Sequence, residues 1–210
     1  MIFITGLPRS GTSLTCTVLD ELGLHFGPRD HLAKGKKRTN PTGMMENRQV
    51  RQRTLKPILE TLGADPAGQH PLPPRELDVR QWDTDQLRER VLGQLGGAEA
   101  YKDAKLVLVW PLWTAAFPDA RWVIVRRDRE DVVNSCLRTY FMRRHDTADA
   151  WREWAREYEA RLFALRDSVE HVEVWPGTEP EAFRKVAEFV DLEWSEPRAR
   201  TAIRPEAWHG

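Results

Sequence analysis

Three short runs of β-branched and aromatic residues alternate along the chain with longer segments whose apolar residues recur every three or four positions. The runs cover residues 2–5, 122–125 and 171–175. A continuous apolar run that ends at glycine, proline or charged residues predicts a buried strand, and the longer spacing predicts an amphipathic helix. Alternating strands and helices indicate an α/β fold in three layers, with a mainly parallel sheet flanked by helices.

The helical pattern is clear in six places, and most of them begin at a capping residue or end at glycine. The predicted helices cover residues 12–22, 47–62, 83–95, 128–140, 148–166 and 179–190. Pro57 predicts a kink or break in the second helix, because proline lacks an N–H donor. The apolar stretch 106–110 fits a strand and a helix equally well, and the tail after residue 190 is expected to be irregular.

Two segments rich in glycine and proline, residues 24–45 and 63–79, are predicted to be loops. The first loop carries a cluster of positive charges, formed by Lys34, Lys36, Lys37 and Arg38. We interpret it as a solvated loop, with steering of an anionic ligand as the alternative. Neither segment shows a clear domain boundary, so residues 1–210 are predicted to form a single domain.

The charge balance narrows the classes of function. Among 210 residues, 32 Lys and Arg are matched by 32 Asp and Glu. A net charge of zero argues against a general nucleic-acid binder and against a polybasic membrane-surface protein. No apolar run is long enough for a membrane span, and no apolar leader precedes the first glycine turn, which predicts a cytoplasmic protein. Cys16 and Cys136 have neither disulfide nor metal-ligand spacing and are predicted to lie in the core.

The segment GLPRSGTS at residues 6–13 joins the first strand to the first helix. At such a junction, backbone N–H groups and a helix N-terminus face the same point and favour an anion. Gly6 and Gly11 allow close approach of the main chain, and Arg9 adds a charge that is suited to bidentate contacts. The segment also offers three hydroxyl groups, those of Ser10, Thr12 and Ser13. A nucleotide phosphate or a related group is the expected ligand.

This glycine loop differs from the loop of ATP- and GTP-hydrolysing enzymes. Its two glycines have the spacing of GxxxxGK[ST], but Thr12 stands where that motif has lysine. The second strand ends in Arg126 and Arg127 rather than in an aspartate that would hold magnesium. Both differences count against nucleotide hydrolysis.

The second strand–helix junction, within residues 121–141, offers a second set of anion-binding groups. Its strand ends in two arginines, and Ser135 follows Arg127 by eight positions. Ligands bind at the carboxyl ends of the strands in an open α/β sheet, so this junction is a candidate for a second anion.

The two junctions together resemble the sulfotransferases that use 3'-phosphoadenosine 5'-phosphosulfate (PAPS). PRSGTS at residues 8–13 is similar to their 5'-phosphosulfate loop, and VRRDREDVVNS at 125–135 to their 3'-phosphate element, with Arg129 in place of the usual proline. NPTGMMEN at 40–47 and the lysine-led segment at 101–125 resemble stretches of bacterial members. The resemblance implies a P-loop NTPase-like sulfotransferase fold.

The resemblance also implies an activity, which is transfer of a sulfuryl group from PAPS to a hydroxyl or amine of a small-molecule, carbohydrate or lipid acceptor. The resemblance further implies that no metal is required. The residues that it assigns to the donor are Pro8, Arg9, Ser10, Gly11, Thr12, Ser13, Arg127 and Ser135. Family members usually have lysine where this chain has Arg9, which stabilises charge but does not donate a proton at neutral pH.

Three residues are candidates for the transfer step itself. Arg9 would stabilise charge on the leaving phosphate, and Lys102 is a possible substitute for the family's lysine. Glu46 is the candidate general base, because a carboxylate in a dry cleft titrates closer to neutral pH. A charge that stabilises a helix N-terminus is the alternative role for Glu46, and His25 and His31 are the alternative bases.

Two other functions stay open. The first is a small-molecule kinase that uses the same loop for ATP, against which the missing lysine and magnesium ligand count. The second is a nucleotide-binding or assembly module without catalysis, because fold alone does not determine function.

Overall fold

The computed structural model describes residues 1–34 and 44–203, and their strands form one parallel sheet. The strands are β1 Ile2–Gly6, β2 Ala100–Lys102, β3 Arg121–Val125 and β4 His171–Val174, in the order β2-β1-β3-β4. Gly6 is in register with Val125, and Ile4 with Lys102. The carboxyl ends of the three strands β2, β1 and β3 therefore lie at the same edge of the sheet.

The helices connect and cover these strands. Their bounds are α1 Thr12–Leu22, α2 Arg48–Val50, α3 Lys56–Thr61, α4 Thr84–Leu95, α5 Trp110–Ala116, α6 Arg129–Arg138, α7 Ala148–Arg166, α8 Arg184–Phe189 and α9 Glu196–Ala202. A π-helical segment, Arg51–Leu55, joins α2 to α3. Short 3₁₀ helices are Arg29–His31, Val79–Gln81, Ala104–Val109 and Pro180–Phe183.

Alternation of side chains along the strands produces two apolar cores, one on each face of the sheet. Phe3, Trp122 and Ile124 belong to the core beneath α3 to α7. Ile4 and Val125 belong to the other core, with α1, α8 and α9. The molecule therefore has the three layers that the sequence predicts.

The helices that follow β1 and β3 lie on opposite faces of the sheet. Cys16 and Leu19 of α1 pack in one core, and Val132 and Cys136 of α6 pack in the other. Because β1 and β3 are neighbours, the chain leaves the carboxyl edge in opposite directions at this point, which opens a crevice between the two loops. Such a switch point is where ligands bind in open α/β sheets.

The structure differs from the sequence prediction in four segments and decides a fifth, which the sequence left open. Strand β2 was not predicted. Segment 106–110, which fits a strand and a helix equally well by sequence, begins in a 3₁₀ helix and ends at the start of α5. Residues 48–61 are helical throughout, and the π-helical segment accommodates Pro57 without a break. The predicted last helix is a 3₁₀ turn followed by α8, and the tail, expected to be irregular, forms α9 through residue 202.

Both cysteines are buried free thiols, as predicted. Burial raises the pKa of the Cys136 thiol to about 12 and also raises that of Cys16. Within residues 1–34 and 44–203, no helix is long and apolar enough to cross a membrane. The same residues contain no group of three His, Cys, Asp or Glu side chains placed to hold a metal ion.

Candidate active site

The glycine loop after β1 has an unusual backbone. Arg9 has a φ of 74° and Gly11 a φ of 98°, both in the left-handed region, and the Ser10 N–H donates to the Leu7 carbonyl at 3.1 Å. A Cβ on Gly6 would lie 2.3 Å from the Val125 carbonyl oxygen, so only glycine allows the loop to start this close to β3. The backbone turns sharply at the carboxyl edge and leads directly into α1.

The loop leaves the N-terminus of α1 without a side-chain cap. The N-cap residue of α1 is Gly11, whereas Asp83, Asp128 and Thr147 cap α4, α6 and α7 with their side chains. The first N–H groups of a helix have no partner inside the helix and carry partial positive charge. The Ser10 Oγ is also buried and has no hydrogen-bond partner among the described residues. This geometry suits an anion with several oxygens.

Two arginines and a serine join this loop to the second junction. The Arg9 Nε donates to the Ser135 Oγ at 3.0 Å, and an Arg127 Nη1 donates to the Arg9 carbonyl oxygen at 3.1 Å. The Arg127 Nε lies 3.8 Å from an Asp131 oxygen. The two predicted anion-binding elements therefore form one continuous site, although they are separated by more than one hundred positions in sequence.

The two guanidinium groups lie in an environment that disfavours their charge. Burial lowers the pKa of Arg9, and the positive charge of Arg127 lowers it further. Burial also lowers the pKa of Arg127, although Asp131 partly offsets it. Two partly desolvated cations so close together attract an anion, because the anion restores the interactions lost on burial.

Lys102, at the end of β2, connects the glycine loop to Glu46. Its Nζ donates to the Ser13 Oγ at 3.1 Å, to the Met44 carbonyl at 2.9 Å and to the Glu46 Oε1 at 2.9 Å. The side chains of Lys102 and Glu46 are only 3% and 7% exposed. The three candidates for catalysis thus divide into two groups, with Arg9 near Ser135 and the Lys102–Glu46 pair near Ser13.

Both carboxylate oxygens of Glu46 accept hydrogen bonds. Lys102 donates to Oε1, and Arg51 donates to Oε2 at 2.9 Å. Arg51 was not a candidate from the sequence, because it belongs to none of the motifs; the structure brings it to Glu46 across the start of α2. Glu46 directly precedes Asn47, whose side chain caps α2, so the alternative role of a charge near a helix N-terminus also stays a prediction.

The alternative bases lie elsewhere. The backbone of His25 bonds to Glu99 and Ala100 at the amino end of β2, and His31 lies beside Gly96, which precedes that strand. Both histidines are therefore at the edge of the sheet opposite to the glycine loop. Lys34 is exposed, and residues 35–43, which include the other three cations of the predicted cluster, lie outside the described residues.

Comparison with known proteins identifies the family. The sequence model of the sulfotransferase family matches residues 2–175. This chain therefore belongs to the sulfotransferase family. A comparison with curated proteins found no match.

Two solved sulfotransferase structures are similar to this one. The sulfotransferase STF9 from Mycobacterium avium is 15% identical with a TM-score of 0.54, and the match covers 95% of this chain and 66% of the STF9 chain. The sulfotransferase STF1 from Mycobacterium tuberculosis H37Rv is 17% identical with a TM-score of 0.48, and the match covers 96% of this chain and 70% of the STF1 chain. The chain thus spans about two thirds of these relatives and shares the P-loop-like sulfotransferase fold.

Proposed function

We propose that this protein transfers a sulfuryl group from PAPS to a hydroxyl or amine of a small-molecule, glycan or lipid acceptor. The observation that carries the proposal is the pair of contacts that joins the two anion-binding junctions, from Arg9 to Ser135 and from Arg127 to Arg9. PAPS carries phosphate at both ends of its ribose, so its binding needs two such elements at one crevice.

The donor would bind with each end at one junction. The 5'-phosphosulfate lies against Pro8 to Ser13, where the uncapped helix and the unpartnered Ser10 hydroxyl supply donors. The 3'-phosphate lies against Arg127 and Ser135, and Arg9 reaches between the two ends. ATP has no 3'-phosphate, and these groups would therefore select PAPS.

The transfer step is an in-line displacement at sulfur. The acceptor oxygen or nitrogen forms a bond to sulfur while the bond from sulfur to the phosphate oxygen breaks, and the electron pair leaves with adenosine 3',5'-bisphosphate (PAP). The Lys102 ammonium, bonded to Ser13, supplies positive charge beside the group in transfer. Glu46 takes the acceptor proton once the acceptor replaces one of its two donors.

Cytoplasmic location and a single domain over residues 1–210 also belong to the proposal. Free buried thiols are the usual state of cysteine in a reducing compartment, and both cysteines of this chain are free. The donor is a co-substrate, and the proposed step involves no metal.

The test is acceptor-dependent release of PAP from PAPS, followed by mass spectrometry of the products. The acceptors are simple phenols, amino sugars and long-chain alcohols, and a parallel reaction contains ATP with Mg²⁺. We expect a sulfated product with at least one class and, at limiting PAPS, a rate about tenfold lower or more in Arg127→Ala. Consumption of ATP instead of PAPS would favour a kinase. Tight PAP binding without turnover, unchanged by Glu46→Gln, would favour a binding module.

A further inference from the structure

A line of direct contacts leads from the glycine loop to a second group of positive charges. Ser13 contacts Lys102, Lys102 contacts Glu46, and Glu46 contacts Arg51. Beyond Glu46 lies what we call the distal cationic cluster, which consists of Arg51, Lys56 and Lys105. The Glu46 carboxylate therefore lies between this cluster and Lys102, where the sulfuryl group would be transferred.

The π-helical segment brings two members of this cluster together. In an α-helix, with about 3.6 residues per turn, residues five apart point in different directions. Here the Lys56 N–H bonds to the Arg51 carbonyl, so each turn takes up one more residue and positions 51 and 56 lie one above the other. Pro57, which lacks an N–H, follows directly. Single π turns occur frequently at functional sites.

The cluster has positive charge that nearby groups leave unbalanced. Burial lowers the pKa of Lys56, and the positive charges of Arg51 and Lys105 lower it further. The Lys56 ammonium makes no hydrogen bond or ion pair within residues 1–34 and 44–203. The Nε of Arg51 is buried and likewise has no hydrogen-bond partner in that part of the chain.

The buried carboxylates nearby are already engaged. Asp103 pairs with Lys105 at 2.7 Å, and Glu46 is shared by Lys102 and Arg51. These two buried carboxylates therefore pair with three cations, Lys102, Arg51 and Lys105, and neither of them pairs with the half-buried Lys56. Glu60, which is exposed, is the remaining acid whose charge acts on Lys56. A bound anion would neutralise the positive charge that these acids leave over.

We propose that the acceptor carries an anionic group, a carboxylate, sulfate or phosphate, which the distal cationic cluster binds while the acceptor hydroxyl or amine faces Lys102 and Glu46. The inference rests on the proposed function, because it assigns the acceptor to the far side of the same site. Glu46 and Arg51 lie between Lys102 and Lys56 in this line of contacts, so the nucleophile and the anion would occupy separate positions on the acceptor.

The test is binding of small anions to protein saturated with PAP, measured by calorimetry for sulfate, phosphate and acetate. PAP occupies both phosphate positions, so these anions report on the remaining cations. The variants are Lys56→Gln, which removes the charge, Lys56→Arg, which keeps it, and Lys185→Gln, an exposed lysine of α8, as the matched control. Thermal unfolding of each variant checks that the fold is intact.

We expect at least one anion to bind with millimolar affinity and Lys56→Gln to weaken it about tenfold, as for loss of one charge-assisted hydrogen bond. Lys56→Arg and Lys185→Gln should bind like the wild type, and PAP affinity should be equal in all four proteins. The anion that binds best identifies the group on the acceptor. Equal anion affinity in Lys56→Gln and wild type, or no anion binding at all, would overturn the inference. Failure of PAP to bind would instead reject the proposed donor, and the anion titration of the unliganded proteins would still compare Lys56→Gln with wild type.

Discussion

Replacing Lys102 by methionine tests whether the buried pair with Glu46 holds the site together. Methionine keeps most of the aliphatic volume and removes the ammonium, which donates to Ser13, Met44 and Glu46. We expect Lys102→Met to destabilise the protein and to abolish sulfuryl transfer, because the charge beside the transferred group is lost.

The size of the loss follows from the contacts that remain. Removing one partner of a buried ion pair costs about 3–5 kcal/mol, because the other charge is left without compensation. Here Arg51 stays bonded to the second oxygen of Glu46, so the carboxylate keeps one cation. We therefore expect the lower end of the range, about 3 kcal/mol of unfolding free energy.

Urea unfolding of Lys102→Met, Glu46→Gln and the double variant gives the coupling between the two side chains. We expect a coupling of about 1.5 kcal/mol, within the range for residues in direct contact. Lys185→Met is the matched control and should change stability by less than about 0.5 kcal/mol. Additive losses in the double variant, within about 0.5 kcal/mol, would refute the claim that this pair acts as a unit.

Three further predictions address the donor site, the backbone and the pH dependence. Arg127→Ala should weaken PAP binding about tenfold or more, as for a hydrogen bond to a charged group, and AMP binding much less; equal losses in calorimetry would reject the 3'-phosphate assignment. Gly6→Ala should cost about 3 kcal/mol or more in urea unfolding, because its Cβ would lie 2.3 Å from a carbonyl oxygen of β3. Gly93→Ala, with open space in α4, should instead stabilise by about 0.5–1 kcal/mol, and similar effects at both positions would contradict the packing argument. Burial opposes ionisation of Asp103, but Lys105 outweighs it and lowers the pKa of the carboxyl. The resulting stabilisation is complete above the unfolded pKa of about 3.9 and disappears as the pH falls through the lower folded value. The free energy of unfolding of Asp103→Asn should therefore fall less than that of the wild type between pH 5 and 3. The difference should be about the contribution of this one group, and parallel curves of stability against pH would contradict the assignment.

Local patterns in the sequence predict the parts of the fold that local interactions determine. Strands β1 and β3 are continuous apolar runs, and α7 begins and ends where its apolar spacing does. Strand β2 is different, because Ala100–Lys102 has no apolar pattern of its own. It is extended because it pairs with β1, which is a tertiary effect. Helix α9 packs in the core with α1, and the local sequence around α9 does not indicate this contact either.

The same distinction applies to the candidate site. The glycine loop and the Arg127–Ser135 spacing are local motifs, so the sequence alone predicts which residues would bind the donor. The direct bond between Arg9 and Ser135 spans 126 positions and follows from the sheet order. The contact of Arg51 with Glu46 spans the start of α2 and belongs to no motif, so no local signal predicts it. Pro57 predicts a kink or break, and the structure has a π-helical segment there instead.

Calorimetric titration with PAP, beside ADP and beside ATP with and without Mg²⁺, tests the central claim most directly. The two linked junctions predict micromolar affinity for PAP and a clear preference over ADP, because only PAP has a group for Arg127 and Ser135. Preference for ATP with Mg²⁺, or no binding of PAP, would contradict the assignment of this site to PAPS.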